Sequence, residues 1–242
     1  MLSDRMAAVI ALLGGDGGTD GAALPPAAAG AAAAALAVDG IGAGVGTGPE
    51  GVVLAWGRSR TSAALEEAGF MLGEGPGRDC VAAGSPVLVA DLSESVARWP
   101  AFAPAALDLG VRAMFALPLR IGAISVGTLV AHRGTPGPLR NGQLVDALAL
   151  ADTLTILLLR RAMDEPARTV AEGGEPSPDW AAPATHRFEV HQATGMVSVQ
   201  LGVSLAEALL RLRAHAYATD RPLNEVAADV VARRLRLEDL AS

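Results

Sequence analysis

Residues 191–227 read HQATGMVSVQLGVSLAEALLRLRAHAYATDRPLNEVA, and the turn signals in this stretch decide how the C-terminal part folds. Gly202 ends a first helix, because glycine readily takes the left-handed conformation that follows a helix. Ser204 and Glu207 form a capping box that begins a second helix. The residues DRP at 220–222 end it, since proline cannot continue a helix. The stretch therefore predicts three short helices.

Apolar residues recur every three or four positions in each predicted helix, which places them on one face. The first helix covers residues 186–201, the second begins after Ser204, and the third begins near Pro222. The residues predicted to face inward are Val190, Ala193, Val197 and Leu201, then Leu205, Ala208, Leu209, Leu212 and Ala216, then Leu223, Val226, Ala227, Val230 and Val231. They predict a three-helix bundle of about 50 residues, a size that is marginally stable alone.

Charge separates the chain into two parts. The formal net charge is −7 over 242 residues, and all 19 basic residues are arginines. Residues 1–185 hold 12 Arg against 19 acidic residues, whereas residues 186–242 hold 7 of each. The acidic part does not attract nucleic acid, while the neutral C-terminal part can do so locally.

The N-terminal part changes from helical to strand periodicity. An amphipathic helix fills the first 13 residues, and Pro25 and Pro26 begin an alanine-rich helix. Short β-type runs between glycines and prolines follow, with helical segments between them. We predict an α+β domain in which antiparallel strands have helices packed on one face.

A long apolar helix is predicted from Asn141, and its apolar residues are not confined to one stripe. One side is expected to pack on the domain and another on a second copy of the chain; the alternative is a helix covered entirely within the monomer. The prolines and glycines of residues 166–183 then predict a linker. The predicted organisation is an N-terminal helix and loop (1–24), the α+β domain (25–164), a linker (165–185) and the bundle (186–238).

The single cysteine, the N-terminal sequence and the lack of catalytic motifs restrict the possible functions. Cys80 is the only cysteine, which excludes an internal disulfide and any cysteine-rich metal site. There is no basic leader, and Asp152 interrupts the most apolar run, so we predict a soluble cytoplasmic protein without membrane partners. No catalytic serine set, phosphate-binding loop or kinase motif is present. We expect no enzymatic activity, no metal and no cofactor.

Three blocks in the N-terminal domain carry a resemblance: GEGPGRDCVAAGSPVLVADL (73–92), RWPAFAPAALDLGVRAMFALPLR (98–120) and ISVGTLVAHRG (124–134). They resemble the GAF domain of actinobacterial signalling proteins, over residues 25–164. The resemblance implies an antiparallel sheet with flanking helices, a small-molecule or protein signal of unidentified nature, and dimerisation through the flanking helices. We predict that the glycines around Pro76 form an architectural turn and that Asp91 caps the turn that follows it. We predict that Cys80 is a buried, inert thiol.

The C-terminal motif QATGM, LGVSLAEALLRLRAHA and RPLNEVAADVV resembles the ANTAR domain. That family binds RNA hairpins and acts in transcription antitermination as a dimer. The family usually has a lysine where Thr194 stands, so the charge for phosphate contacts has to come from arginines. The RNA-binding candidates are Gln192, Thr194, Gly195, Arg211, Arg213, Tyr217, Arg221, Asn224, Arg233 and Arg234.

Three function classes follow. The first is a signal-responsive RNA-binding antitermination regulator, in which a GAF sensor controls an ANTAR output as a homodimer. The alternative is a protein-interaction or DNA-binding module whose tail has lost RNA binding, which the neutral charge and the missing lysine favour. The third is an enzyme: some GAF domains reduce methionine sulfoxide, but that chemistry needs attacking and resolving thiols and this chain has one cysteine.

Overall fold

The chain folds as two compact units, Met1–Gly173 and Gly174–Ser242. The computed structural model describes residues 1–15, 24–46, 53–57, 59–172 and 181–237. In the first unit an antiparallel sheet is covered by helices, and in the second unit helices pack on one another. The α+β class predicted from the sequence is confirmed.

The sheet of the first unit has five strands in the order β2-β1-β5-β4-β3, and every neighbouring pair is antiparallel. The strands are β1 (Gly40–Val45), β2 (Val53–Trp56), β3 (Val87–Val89), β4 (Ala113–Ile121) and β5 (Ile124–Arg133). A tight turn at Gly122 and Ala123 joins β4 to β5, with Gly122 at a φ of 58°. The two longest strands therefore form a central hairpin.

Helices cover both faces of this sheet, so the prediction of helices on one face is wrong. The helices of the first unit are α1 (Asp4–Gly14), α2 (Pro26–Leu36), α3 (Arg60–Leu72), α4 (Pro76–Ala83), α5 (Phe102–Asp108) and α6 (Asn141–Glu172). Helices α1, α2 and α6 share one apolar core with the sheet, and α3, α4 and α5 share another. The residue pattern of β4 explains this: Phe115 and Leu117 belong to the first core, Met114 and Ala116 to the second.

Helix α1 is held on α6 by a partly buried polar contact. The backbone N–H of Ser3 donates to Asp146 Oδ1 over 2.9 Å, and the Ser3 hydroxyl donates to Oδ2 over 2.6 Å. The same hydroxyl accepts from the N–H of Met6 and caps α1. Asp146 is buried, and apolar side chains of α1 complete the contact. The segment predicted as a separate N-terminal helix therefore packs within the first unit.

The loops before α4 and α5 agree with the sequence interpretation. Gly73 and Gly75 have φ values of 72° and 118°, so this turn requires glycine. A Cβ at Gly75 would also lie 3.0–3.1 Å from the ring of Phe102, which would have to shift slightly. Asp91 accepts from the N–H of Ser93 over 3.0 Å and caps the 3-10 turn Leu92–Ser95. The predicted turn is confirmed at Gly73 and Gly75, and so is the cap at Asp91, whereas Gly77 lies within α4 and does not have a positive φ.

Helix α6 has a buried face and an exposed apolar face. Its stretch Asn141–Arg160 is long and apolar enough to cross a membrane by composition. However, five of its side chains lie in the core with the sheet: Ala147, Leu150, Ala151, Leu154 and Leu158. Val145, Leu148 and Ile156 are 41–48% exposed. The helix thus belongs to the core on one side and presents an uncovered apolar surface on the other.

The second unit consists of α7 (Ala181–Leu201), α8 (Leu205–Ala218) and α9 (Leu223–Val231), with α7 packed on both α8 and α9. The axis turns by 106° between α7 and α8, at Gly202 with a φ of 64°. Ser204 Oγ accepts from the N–H of Glu207 over 3.2 Å, so the predicted N-cap is confirmed. The predicted domain boundaries stay a prediction, but helix extends beyond them: α6 continues to Glu172, and α7 begins at Ala181.

Candidate functional site

The core of the second unit consists of aliphatic side chains and one threonine, Thr194. Most of the predicted inward residues are buried; the exceptions are Leu201 and Val231, which are half-buried, and Leu205, which is exposed. Leu205 is the first residue of α8, beside its N-cap, where the helix has not yet reached its neighbours. The predicted packing of the three helices is therefore confirmed. The buried residues of each helix also identify which of its residues face outward.

The α7 candidates point in different directions. Gln192 is exposed, and Gly195 is half-buried with open space where a side chain would stand. Thr194 is only 6% exposed, and its hydroxyl donates to the Val190 carbonyl over 2.7 Å. The expectation that Thr194 faces a partner is therefore wrong, because its side chain lies inside the bundle and its hydroxyl bonds to its own helix.

The candidate arginines Arg211, Arg221 and Arg234 form ion pairs within the unit. Arg211 binds Glu207 one turn earlier in α8, at 2.8 Å. Arg221 and Arg234 each bind Asp229, both at 2.7 Å. Hydrogen bonds from these two guanidinium groups lower the pKa of Asp229 below its usual value. Arg221 also lies 3.9 Å from Glu225, so three carboxylates balance the positive charge of these three arginines locally.

The remaining candidates differ in exposure. Arg213 and Asn224 are half-buried, and Tyr217 is 82% exposed. Arg233 is exposed, just after α9, with a φ of 57°. It has no ion pair among the residues that the structure describes. Tyr217 and Arg233 are the candidates whose side chains are most available to a partner.

Leu210 is a surface residue that the sequence interpretation missed. It is 63% exposed, whereas its neighbour Leu209 is buried. It precedes Tyr217 by seven residues, which is two helical turns, so both lie on the same face of α8. A helical projection of 205–218 would have found it, because Leu209 and Leu212 fix the inward direction.

A buried polar group lies in the first unit on the face that α3 covers. His132 Nε2 is 3.3 Å from Ser62 Oγ, which is 2.8 Å from Ser59 Oγ. Gly40 pairs with His132 across the sheet, and any side chain there would collide with the imidazole ring. Burial lowers the pKa of His132, while the negative charge of Asp39 opposes this shift. His132 and Ser62 are both buried.

Two other features bear on ligands of the first unit. Burial raises the pKa of the fully buried Cys80 thiol to about 12, as expected for an inert thiol. A surface depression of about 370 Å³ lies beside α6 and is lined in part by Pro86, Arg120, Leu148 and Asp152. In the described part of the chain, no three His, Cys, Asp or Glu residues are grouped as metal ligands.

Comparison with known proteins assigns both units. Residues 182–231 match the family model of the ANTAR domain. The GAF domain of an Acinetobacter phosphoenolpyruvate-protein phosphotransferase is similar to the chain with 12% identity and a TM-score of 0.51, covering 72% of this chain and 96% of that one. No curated protein matches the sequence.

Two further solved structures are similar at lower TM-scores. The GAF domain of a Coxiella burnetii phosphoenolpyruvate-protein phosphotransferase covers 71% of this chain and 99% of its own, with 16% identity and a TM-score of 0.46. The free methionine-R-sulfoxide reductase of Neisseria meningitidis covers 69% and 96%, with 20% identity and a TM-score of 0.45. The ANTAR match and the fold shared with the Acinetobacter GAF domain together show an N-terminal GAF-like domain followed by an ANTAR domain at residues 182–231.

Proposed function

We propose that this protein is a signal-responsive, RNA-binding transcription antitermination regulator, in which the GAF-like domain controls the ANTAR domain. The observation that carries the proposal is the ANTAR match over residues 182–231, which spans α7, α8 and α9 as a packed unit. The order of the domains supports it, because a sensor fold precedes the RNA-binding one in a single chain. RNA hairpins in nascent transcripts are the proposed targets.

A homodimer formed through α6 is part of this proposal. Val145, Leu148 and Ile156 recur at helical spacing on the exposed face of α6, opposite the face that packs on the sheet. A surface of this kind favours helix pairing, as in coiled coils. Two ANTAR domains in one dimer would bind two RNA elements with a gain in effective concentration.

The depression beside α6 is where we propose that a signal acts. Leu148 and Asp152 line it from α6, and Arg120 lines it from β4. An occupant would touch the helix that we propose for dimerisation, so its binding energy would couple directly to helix pairing. The occupant is a small molecule or a segment of a protein.

We propose that the protein is not an enzyme and acts in the cytoplasm. Thiol-based reduction of methionine sulfoxide needs an attacking thiolate and a resolving thiol. Cys80 is the only cysteine, and its thiol is fully buried with a pKa of about 12. The helical stretch Asn141–Arg160, which has the length and composition of a membrane span, contributes one face to the core of the first unit.

The alternative is that the second unit has lost RNA binding and binds a protein or DNA instead. The ion pairs of Arg211, Arg221 and Arg234 favour it, since these arginines are already neutralised. Exposed ion pairs contribute only about 0–1 kcal/mol each, so a phosphate can still displace the acidic partner at small cost. The pairs therefore reduce the positive charge that is immediately available to RNA, but phosphate contacts can replace them.

The test is crosslinking of the full-length protein to RNA in cells, followed by sequencing of the bound transcripts. Each recovered hairpin is then placed before its own terminator and transcribed with and without the purified protein. We expect specific hairpins and increased readthrough. Recovery of a protein partner with no enriched transcript would establish the alternative.

A further inference from the structure

The surface depression beside α6 exists because strand β3 is short. β3 begins at Val87 and pairs with residues 114–116, so in the described part of the chain the rest of β4 has no strand on that side. Pro86 precedes β3 and has no N–H to donate, so it cannot extend the pairing. Helix α6 packs on β4. The uncovered end of β4, the turn before β3 and α6 therefore enclose a space of about 370 Å³.

Part of the lining of the depression is apolar. Pro86 and Pro118 line it from the side of the sheet, and Leu148 and Ala151 line it from α6. Leu148 is 41% exposed, so an occupant that covers it removes apolar surface from water. The volume is near the lower end of the range of ligand pockets, which is about 300–1,000 Å³. The depression therefore suits a small ligand with an apolar part.

Arg120 supplies a positive charge that is held in place. Its Nε donates to the Gly122 carbonyl over 3.0 Å, and its Nη1 donates to the Gly84 carbonyl over 2.8 Å. These bonds tie the guanidinium group to the β4–β5 turn and to the end of α4. A guanidinium has five N–H groups, so Arg120 keeps donors for a further acceptor. A carboxylate is an acceptor that matches their planar arrangement.

Asp152 supplies a negative charge to the same depression from α6. It is exposed, and within the described residues its carboxylate forms no hydrogen bond or ion pair. In particular it does not pair with Arg120, although both residues line the depression. Two opposite charges that line one space without pairing can be bridged by a ligand that carries both complementary charges.

We propose that this depression binds a small zwitterion with an apolar side chain, of which a free α-amino acid is the simplest, and that its binding competes with pairing of α6. The ligand carboxylate binds Arg120, its ammonium group binds Asp152, and its side chain packs on Leu148. The inference rests on the proposed function, because it names the chemical class of the signal that acts at this depression.

The charges of the site disfavour other small molecules. An anion such as phosphate is repelled by Asp152 and by the rest of residues 1–185, which hold 12 Arg against 19 acidic residues. A cation without a carboxylate is repelled by Arg120. A neutral apolar molecule removes water from both charges without replacing it. A zwitterion satisfies both charges at once.

Competition with helix pairing follows from the position of the site on α6. Val145, Leu148, Asp152 and Ile156 are spaced by three and four residues, so they lie on one exposed face of the helix. This is the face that we propose for dimerisation. A ligand on Leu148 and Asp152 occupies the space that a partner helix needs, so the bound protein favours the monomer.

The test is calorimetric titration of the full-length protein with L-leucine, L-methionine and L-phenylalanine. We expect at least one Kd below about 1 mM, a weak affinity that suits a small ligand in an open site. The N-acetyl derivative of the tightest ligand lacks the ammonium group, and its amide lacks the carboxylate. Each should bind roughly 5- to 10-fold more weakly, since one charge-assisted hydrogen bond to a partly hydrated group is lost.

Two variants assign each ligand group to its residue. Asp152→Asn should bind the free amino acid and its N-acetyl derivative within about twofold of each other, and Arg120→Gln should do the same for the free amino acid and its amide. Misfolding cannot produce this pattern, because it weakens every ligand equally. Asp108→Asn, which changes an exposed acid at the end of α5, is the matched control and should keep the wild-type preferences.

Sedimentation of the wild-type protein tests the competition. A saturating amino acid should shift the monomer–dimer equilibrium towards the monomer, and Asp152→Asn should reduce this shift in proportion to its loss of affinity. An unchanged equilibrium at saturation would show that the ligand and the partner helix do not share a surface, and the competition would be wrong.

The remaining outcomes separate this inference from the proposed function. Absence of binding up to about 10 mM overturns the inference, while RNA binding is decided separately by the crosslinking experiment. Equal binding of the amino acid after it is capped at both ends overturns the zwitterion and favours a peptide segment. Binding with wild-type preferences in both charge variants places the ligand elsewhere and also overturns the inference. Amino-acid binding with no enriched transcript would overturn the proposed function alone.

Discussion

Replacing Ser3 with alanine should loosen α1 from the first unit. The substitution removes the hydroxyl that donates to the buried Asp146 over 2.6 Å and that also caps α1. A hydrogen bond to a charged group contributes about 1.5–3 kcal/mol, and an N-cap contributes about 0.5–2 kcal/mol. Since one hydroxyl makes both contacts and the effects overlap, we expect a total of about 2–4 kcal/mol.

Two measurements can detect this change, one in the stability of the whole first unit and one in α1 alone. Urea unfolding followed by tryptophan fluorescence should show the loss of stability, because Trp56 and Trp99 are buried in the first unit. Hydrogen exchange should show a local effect: if α1 exchanges by detaching, its amides should exchange roughly 30- to 900-fold faster, the factor that corresponds to 2–4 kcal/mol.

The matched control is Ser93→Ala. Ser93 also donates its hydroxyl to a carboxylate, Asp91 Oδ1 at 2.7 Å, but this contact is exposed. We expect a loss of less than about 1 kcal/mol, because water replaces the lost partner. Equal losses for the two variants, with α1 exchanging at the wild-type rate in Ser3→Ala, would refute the role of burial in this contact.

Three further predictions concern stability and reactivity. The folded state depresses the pKa of His132 below its usual 6.5, so the first unit should lose stability as the pH falls below 6.5. His132→Gln should remove this pH dependence of the unfolding free energy, as measured by urea unfolding. An unchanged pH dependence would contradict its assignment to His132. Cys80 should resist iodoacetamide at pH 8 in the folded protein and react only in urea, as followed by mass spectrometry; rapid labelling without urea would contradict its burial. Leu212→Ala should cost about 2–5 kcal/mol and unfold the second unit before the first, whereas the exposed Leu210→Ala should cost under about 1 kcal/mol.

The three-helix unit was predictable from the sequence because its signals are local. Gly202, Ser204 and Pro222 mark the helix ends, and the periodicity between them identifies most buried residues. The start of α7 was not predictable in the same way. Pro183 argued against helix, yet it occupies the first turn, where its missing N–H is not needed by the helix.

Other features depend on contacts between distant residues, which no local pattern reports. Thr194 follows the inward Ala193 and reads as a surface residue, but a threonine can be buried in a helix by bonding to the carbonyl four residues earlier. The contact of Ser3 with Asp146 joins residues 143 positions apart. The pairing of candidate arginines with Asp229 likewise needs the turn after α9, which brings Arg234 back to it.

In the second unit, the side chains that stabilise the fold are different from those exposed on its surface. Surface residues can therefore be substituted without unfolding the unit. Its buried side chains are valine, leucine and alanine with one threonine, while its described aromatic rings are outside. Placing a large ring in a core of this size would disturb its packing, whereas an exposed ring costs the fold little. Tyr217→Ala should therefore leave the melting temperature within about 2 °C of wild type, since it removes few internal contacts. A loss of RNA affinity in that variant, measured with unchanged melting, would come from the surface of α8 and not from partial unfolding.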